Sequence, residues 1–454
     1  MLKKVIILLL LLYQLLAIAF SEVVLWATAD VHGVVNSSSG GLVGIYSLLE
    51  VKRKPTDLLI DAGDFFQGSY SANISGGTSL VNIFHAMDYD FCIPGNHEMD
   101  AGMENLRHLY SQLKVPVLCA NWNFVSSLQN MKPYALVERN GIRIGIIGTG
   151  DRESRTRILP TEKVSFMKEE KAIAQALAAL RPEKVDIIVL VRHGGIYFSG
   201  GNLYSLLKQF PEIDIVIGAH SHQVEKGRKI AGAYYVQPPA YGQGVSEVRA
   251  VYNKKTRKIE RITSVLHSVS AVRTSDKMKK YIKNEQEYRV RSKSVIAEIV
   301  SKFTSTEDLQ KYLIRQSSAL LGKADADLFF IDKSGIEMKS AISDYMIYRM
   351  FPYENNVVQI TVSRKEYQTI LEECKKYSEK YKAVLLADFR GGKKQHIILR
   401  TSAFILSGGG RNFPAARSIA EKREITEFVS LRQLVKKYLN ECSRNGKLFV
   451  DSTE

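Results

Sequence analysis

Between about residues 22 and 265 the chain alternates short, β-branched apolar runs with longer stretches of helical periodicity. The runs read EVVLWATAD, DLLIDAGD, DFCIPGNHE, VPVLCANW, IRIGIIGTG, VDIIVLVRHGG and IDIVIGAHSH. Buried strands of about four to eight residues, closed by turn residues, have this pattern. Between several of them lie LVNIFHAMD, MENLRHLYSQL and KAIAQALAALRPE, whose apolar positions recur at helical spacing. Such alternation predicts an α/β sandwich with a largely central sheet. After YYVQPPA, the runs VSEVRAVYN and KIERITSVLHSV predict a closing β-meander.

From about 270 to 315 the chain turns charged and, across DKMKKYIKNEQEYRVRSKSVIAEIVSKF, lacks both Pro and Gly, which predicts a connecting helix. Residues 316–454 have strand and helix patterns of their own. At 454 residues the chain exceeds what one hydrophobic core usually supports. The expected organisation is therefore a first domain over 22–268, a linker helix region over 269–315 and a second, smaller α+β domain over 316–454. The start is different again: MLKK leads into VIILLLLLYQLLAIAF and then Ser21-Glu22. A basic start, an apolar run and small residues predict a signal peptide over 1–21, with cleavage after Ala19 or Ser21. The run is also nearly long enough to span a bilayer, so an uncleaved anchor is the alternative, and membrane association is expected only through that segment. In both cases the body is exported, to a periplasmic, extracellular or cell-surface location.

Composition adds limits. The four cysteines, Cys92, Cys119, Cys374 and Cys442, are widely spaced without a CxxC or zinc-site spacing and read as buried thiols, with one disulfide still open. The formal charge is +16, and from residue 271 onward 34 Lys and Arg against 23 Asp and Glu leave +11 of it in the carboxy-terminal part. That excess suits phosphate-bearing ligands or an acidic surface, and equally a solvated lysine-rich one. No aromatic-interleaved basic motif of the nucleic-acid type is present.

The chemistry gathers where strand-like runs end. Asp30 and His32 follow the first, Gly63-Asp64 the second, and Asn96, His97, Glu98 and Asp100 the third. Two later runs end in His193 and in Gly218-Ala219-His220-Ser221-His222. Ends of α/β strands open into one crevice, so residues spread over nearly two hundred positions are expected to converge. Carboxylates supply charge, imidazoles supply nitrogen donors, and one carboxylate can bridge two cations about 3.5–4 Å apart. The set therefore points to a pair of divalent metal ions.

The ordered set D-x-H, G-D, G-N-H-E, H and G-x-H-x-H resembles that of the calcineurin-like metallophosphoesterases, and GNHEMD after GTSLVNIFHAMDYDFCIP resembles their 5′-nucleotidase and UDP-sugar hydrolase branch. The resemblance covers most of 22–265. It implies a four-layer αββα sandwich and hydrolysis of phosphate esters, chiefly of nucleotides, by metal-activated water. It implies one ion held by Asp30, His32, Asp64 and His222 and another by Asp64, Asn96, His193 and His220, with zinc, manganese, cobalt and iron all suited to the mixed donors. His97 resembles the family's non-ligand histidine, which stabilises developing charge or protonates the leaving oxygen, and Asp100 its orienting acid. Glu98 receives no role beyond a bond to nearby backbone. The same scaffold serves thiosulfohydrolases, and a non-catalytic binding protein is the reading outside catalysis; such a protein has no need of His97 and Asp100.

In this branch the carboxy-terminal domain binds a small-molecule phosphate ester, the nucleotide, by its nucleoside. FPYENNVV resembles the branch's P-F-x-N segment, and TSAFILSGGGRNF resembles its Phe-containing strand and Gly-Gly-Asp turn. The resemblance places Phe404 as a base-stacking residue and Gly408, Gly409 and Arg411 in the turn, with Phe389 the nearest candidate for a second stacking aromatic or simply core. Glu337 stands where the branch has a phosphate-facing Arg, and Gly410 where it has a ribose-binding Asp; Lys333 or Arg411 are candidates to replace the missing cation.

Overall fold

The computed structural model describes residues 20–37, 40–124, 130–151, 154, 158, 164–198, 201–269, 275–299, 303, 305–331, 341–352, 355–409, 411–444 and 449–450. The apolar run upstream of Phe20, expected to be a signal segment, lies outside these residues, as do Lys333, Glu337 and Gly410. The chain divides into two compact units: Met1–Glu98 with Leu106–Arg152 and Val164–Lys283, and Met99–Asn105 with Glu153–Lys163 and Asn284–Glu454.

In the first unit the apolar runs are strands, but they build two sheets where the alternation alone suggested one central sheet. Strands β1 (Phe20–Thr28), β2 (Leu58–Asp61) and β3 (Phe91–Cys92) run parallel and form the middle of a seven-stranded sheet. Strands β4 (Ile142–Thr149), β5 (Ile187–Arg192) and β6 (Ile215–Gly218) are likewise parallel within a six-stranded one. The sheets face each other. Val23, Leu25 and Ala27, at alternate positions of β1, share one core with Ile144 and Ile146, Val189 and Val191, and Ile215 and Ile217. The other face of the second sheet, through Ile147, Ile188, Leu190 and Val216, packs on helices Glu169–Leu180 and Leu203–Gln209. A run such as IIVLVR, buried at every position, reads the same in a single central sheet and in two facing ones, which is why periodicity does not separate them. The predicted meander is present as β7 (Gly244–Asn253) and β8 (Lys258–Ser268), antiparallel to each other, with β7 closing the sheet against β1.

The charged stretch after β8 departs from the single helix expected of it. Helix α1 (Asp276–Ser292) is followed by strand β9 (Val295–Ile299) and then helix α2 (Thr306–Ala319). Val295-Ile296 is β-branched and Ala297 is buried, so the segment pairs with Ala341–Ser343 instead of continuing the helix. The second unit has a five-stranded sheet, ordered Val384–Phe389, Ala326–Ile331, His396–Ser402, Asn356–Ser363 and Ile425–Ser430. Helix α3 (Arg364–Tyr381) begins with a capping box of Ser363 and Glu366, and its Tyr367, Ile370 and Cys374 pack into the core beneath that sheet. Cys92, Cys119, Cys374 and Cys442 are all free thiols. Among the described residues no helix is long and apolar enough to cross a membrane.

Candidate active site

Parallel pairing puts the carboxyl ends of β1, β2 and β3 on one edge of their sheet, with Thr28 opposite Asp61 and Asp61 opposite Cys92. The ends of β4, β5 and β6 align in the same way, Thr149 opposite Arg192 and Arg192 opposite Gly218. The loops leaving these ends bring together seven of the residues singled out above: Asp30, His32, Asp64, Asn96, His193, His220 and His222.

They form two groups of donors. Asp30, His32 and His222 offer ligand atoms that all lie within 4.8 Å of one another, and so do Asp64, His193 and His220. In the first, His32 Nε2 and His222 Nε2 are 3.1 Å apart and His222 Nε2 lies 3.8 Å from Asp30 Oδ1. In the second, His193 Nε2 is 3.2 Å from Asp64 Oδ2, from His220 Nδ1 and from Asn96 Oδ1. Asp64 Oδ2 also lies 4.0 Å from His32 Nε2, so this one oxygen sits between the groups. Donor–metal bonds of about 2.0–2.2 Å put neighbouring ligand atoms roughly 3.0–3.5 Å apart, the spacing of the short contacts here.

Hydrogen bonding tests whether a cation fits. His193 Nδ1 lies 2.8 Å from the Ala62 carbonyl oxygen, which can only accept, so Nδ1 carries the proton and Nε2 of the neutral ring is a bare lone pair. In that form the lone pair faces a carboxylate oxygen and an amide oxygen, both acceptors, and the buried Asn96 Nδ2 has no partner among the described residues. A divalent ion satisfies acceptors turned on one point, as does a second proton on His193, which the Asp64 carboxylate favours. Burial and the neighbouring charges set the protonation of these groups. Burial pushes Asp30 up to about 7 against the pull of His193. Burial would also raise Asp64, yet His193, His97 and His32 hold its carboxyl well below the usual carboxylate range. His32 is taken down to about 4 by burial although Asp64 opposes this. At His193 burial again favours the neutral ring, but the Asp64 carboxylate outweighs it and lifts the imidazole to about 10.

The backbone is shaped for this convergence. Asp30, His32, Asp64, His220 and His222 have φ of 50°, 48°, 57°, 70° and 55°, a region L-residues rarely occupy, at a cost of about 1–3 kcal/mol each. Cross-links hold them there: His220 N–H donates to both oxygens of Asp30, and the amides of Asp30 and His32 donate to the carbonyls of Gly63 and Asp64. His97 donates its backbone N–H to Asp64 Oδ1 at 2.8 Å, and its ring meets that of His32 edge-on at 5.3 Å. Asp100, partly exposed, follows the single helical turn His97–Met99.

Residues 23–224 match the family model of calcineurin-like phosphoesterases. The first unit carries a calcineurin-like phosphoesterase domain. Members of this family use divalent metal ions, in keeping with the two donor groups of the domain. A Treponema pallidum protein named as a probable 5′-nucleotidase is 30% identical over 243 residues, covering 47% of this chain and 40% of its own. The chain thus spans about two fifths of that relative's length. Among solved structures, a Staphylococcus aureus protein assigned as a 5′-nucleotidase and crystallised with α-ketoglutarate superposes with a TM-score of 0.75 at 18% identity, over 94% of this chain and 98% of its own. A 5′-nucleotidase precursor from Thermus thermophilus gives 0.65 at 19% identity, over 95% and 97%. Both units therefore share the fold of these two-domain proteins.

The phosphoesterase domain also contains residues that the sequence reading passed over. Arg192, next to His193 and buried, donates Nε to Glu169 Oε1 and Nη1 to the Gly195 carbonyl, bracing the turn that follows His193. Tyr241 packs its ring against those of His32 and His222 at 5.3 and 5.1 Å while its backbone N–H donates to the Asp30 carbonyl. Its signal was a lone aromatic in the turn AYGQG, indistinguishable from an ordinary turn residue.

In the second unit, Phe404 lies not in a strand but in the short helix Ala403–Leu406 that precedes Gly408, Gly409 and Arg411, and its ring is edge-on to Phe413 at 5.7 Å and to Tyr377 at 6.1 Å. Gly409 has φ of 47°, and a Cβ there would strike the Phe413 ring at 2.4 Å. Phe389 belongs elsewhere: it stacks on Tyr367 at 5.2 Å under the Arg364 guanidinium. Tyr367 and Tyr377 stand ten residues apart on α3, about 15 Å of helix rise. The aromatics that accompany Phe404 are Tyr377, itself 4.5 Å from Tyr381, and Phe413.

Proposed function

We propose that this chain is an exported phosphohydrolase that uses two divalent ions to cleave phosphate monoesters of nucleotides. In this reading Asp30, His32, Asp64 and His222 hold one ion and Asp64, Asn96, His193 and His220 the other, with Asp64 as the bridge. The observation that carries it is the position of Asp64 Oδ2, 3.2 Å from His193 Nε2 and 4.0 Å from His32 Nε2, between the two groups of ligand atoms. Mixed nitrogen and oxygen donors suit zinc, manganese, cobalt and iron. When bound, such ions supply Lewis acidity, activating water at neutral pH and neutralising phosphoryl charge. The protein's part is geometry and proton supply. The Ala62 carbonyl fixes the His193 tautomer, His220 N–H holds Asp30 in place, and His97 delivers a proton to the leaving oxygen with Asp100 as its orienting acid. The names of its relatives support nucleotide esters as the substrate class, and the apolar run before Phe20 supports export.

Substrate preference is assigned to the second unit, to Phe404 and the Gly408, Gly409 and Arg411 turn. With Glu337 and Gly410 in place of an Arg and an Asp, two charge-assisted contacts worth about 1.5–3 kcal/mol each are lost, or roughly 10²- to 10⁴-fold in discrimination. The test is a hydrolysis panel on the purified mature protein with each of the four metals, comparing 5′-nucleotides, cyclic nucleotides, UDP-sugars and p-nitrophenyl phosphate. Turnover of p-nitrophenyl phosphate with a weak preference for AMP is expected. No metal-dependent hydrolysis of any ester would overturn the proposal, and an AMP preference above about 10⁴-fold in kcat/KM would show the nucleoside site rebuilt by Lys333, Arg411 or other residues.

A further inference from the structure

Glu98 follows His97 directly, yet it is buried and faces away from the reacting side of the loop. Its carboxylate accepts from four backbone amides: Oε2 from Gly95 N at 2.6 Å and Asp64 N at 3.1 Å, Oε1 from Phe65 N at 2.8 Å and Phe66 N at 3.2 Å. Three of these donors belong to the loop after β2 and one to the loop after β3. The carbonyls of the first loop are engaged on its opposite side, where Gly63, Asp64 and Phe65 accept from Asp30, His32 and Gly33 at 3.0, 2.8 and 2.9 Å. Residues 63–66 thus turn consecutive carbonyls to one side and consecutive amides to the other. The carbonyl side is zipped to the loop bearing Asp30 and His32, and the amide side is closed by a single carboxylate. Asp64 returns the contact by accepting His97 N–H on Oδ1 at 2.8 Å, which leaves Oδ2 for the donor groups.

We infer that Glu98 is a positioning residue for the metal centre. By clamping residues 64–66 to Gly95 it sets the separation of the two donor groups and the placement of His97 over Asp64. The inference rests on the two-ion reading above and assigns Glu98 no contact with substrate or metal. It explains why a carboxylate stands here: four N–H donors converge, and each left buried without an acceptor would be destabilising by about 1–3 kcal/mol. A glutamine keeps the shape but turns an NH₂ group toward two of those donors.

The test compares wild type, Glu98→Gln and Glu98→Asp, the last withdrawing the carboxylate by about 1.5 Å, one carbon–carbon bond. Zinc and manganese stoichiometry and Kd are measured by equilibrium dialysis, and kcat and KM for p-nitrophenyl phosphate are followed as free metal is raised. Outer partners of metal ligands typically govern about 10- to 100-fold in affinity. Both variants are expected to bind at least one ion that much more weakly, to lose kcat at limiting metal with KM little changed, and to recover kcat as metal is added. A merely structural role would lower thermal stability without metal-dependent rescue, and that result, or unchanged affinity for both ions in a folded variant, overturns the inference. A wild type that binds no metal overturns the two-ion reading itself, and the role of Glu98 with it. Hydrogen exchange on metal-free wild type provides a measurement that needs no variant: the amides of Asp64, Phe65, Phe66 and Gly95 should be protected, and rapid exchange at all four overturns the clamp.

Discussion

Gly95→Ala adds one methyl group where the site has no room for it. Gly95 is not among the positive-φ glycines, so the penalty is contact and not a left-handed backbone. A Cβ would lie 2.1 Å from Asp64 Oδ1 and 2.5 Å from Asp64 N. Real Cβ contacts essentially never fall below 3.0 Å, so the gap to Oδ1 must open by at least the 0.9 Å between 2.1 and 3.0 Å. The backbone has little freedom to absorb this, because Gly95 N and Asp64 N both donate to Glu98 Oε2. The displacement therefore falls on the Asp64 carboxylate, which loses the His97 N–H and moves its other oxygen relative to His193 and His32. Misplacing a reacting group by about 1 Å costs roughly 10²-fold in rate. The expected outcome is a kcat for p-nitrophenyl phosphate about 10²-fold below wild type, with an unchanged far-UV circular dichroism spectrum and weakened retention of metal on dialysis. Kinetics and elemental analysis on the same preparation decide it. A variant within threefold of wild-type kcat that keeps both ions would refute the placement of Asp64 as a bridge that must sit where it does.

Asp64→Asn places an amide where the bridge has a charge; since Oδ1 must keep accepting from His97 N, the NH₂ turns toward His193, and the affinity of both ions should fall by more than the roughly 100-fold typical of outer partners, as read by equilibrium dialysis. Two tightly retained ions would contradict it. His97→Ala should lower kcat by about 10²-fold or more, the scale of general-acid assistance, with metal content unchanged; loss of one metal equivalent would instead make His97 a ligand. Export with cleavage after Ala19 should leave Phe20 as the first residue, keeping the pairings Phe20 with Asn253 and Ser21 with Tyr252 that cleavage after Ser21 would delete. The intact mass of the exported protein distinguishes the two, and a mature chain starting at Glu22 would show that β1 does not need its first two residues.

What the sequence disclosed of the site follows from what each residue needs. Asp30, His32, Asp64, Asn96, His193, His220 and His222 are types chosen for donor atoms, and each lies within a few residues of a strand end, so residue type and strand pattern together were enough to group them. Glu98 and Arg192 were not readable in this way, because their partners are backbone atoms and distant side chains: the amides of residues 64–66, more than thirty positions away, and Glu169. Nothing in a sequence of side chains records which backbone amides lack a strand neighbour. For the same reason runs buried at every position did not by their periodicity separate two facing sheets from one, which only the resemblance to the αββα sandwich supplied, and β9 was hidden inside a charged stretch whose helical compatibility gave no hint that Val295–Ile299 would meet Ala341–Ser343.

The second unit shows the converse. A metal ligand must present a particular atom, which makes its residue type hard to exchange, whereas a flat apolar surface can be assembled from any aromatic that reaches the place. The rings beside Phe404 are Tyr377 and Phe413, supplied by α3 and by the chain just past the turn, while the exposed Phe389 stacks on Tyr367 under Arg364. Tyr377 brings Tyr381 with it one turn further along the helix, and Tyr381 donates its hydroxyl to Asn412 Oδ1 at 3.3 Å, so the aromatic cluster ends in a polar rim beside Arg411. Chemistry at the metal end is thus constrained by electronic need, and recognition at the aromatic end only by shape.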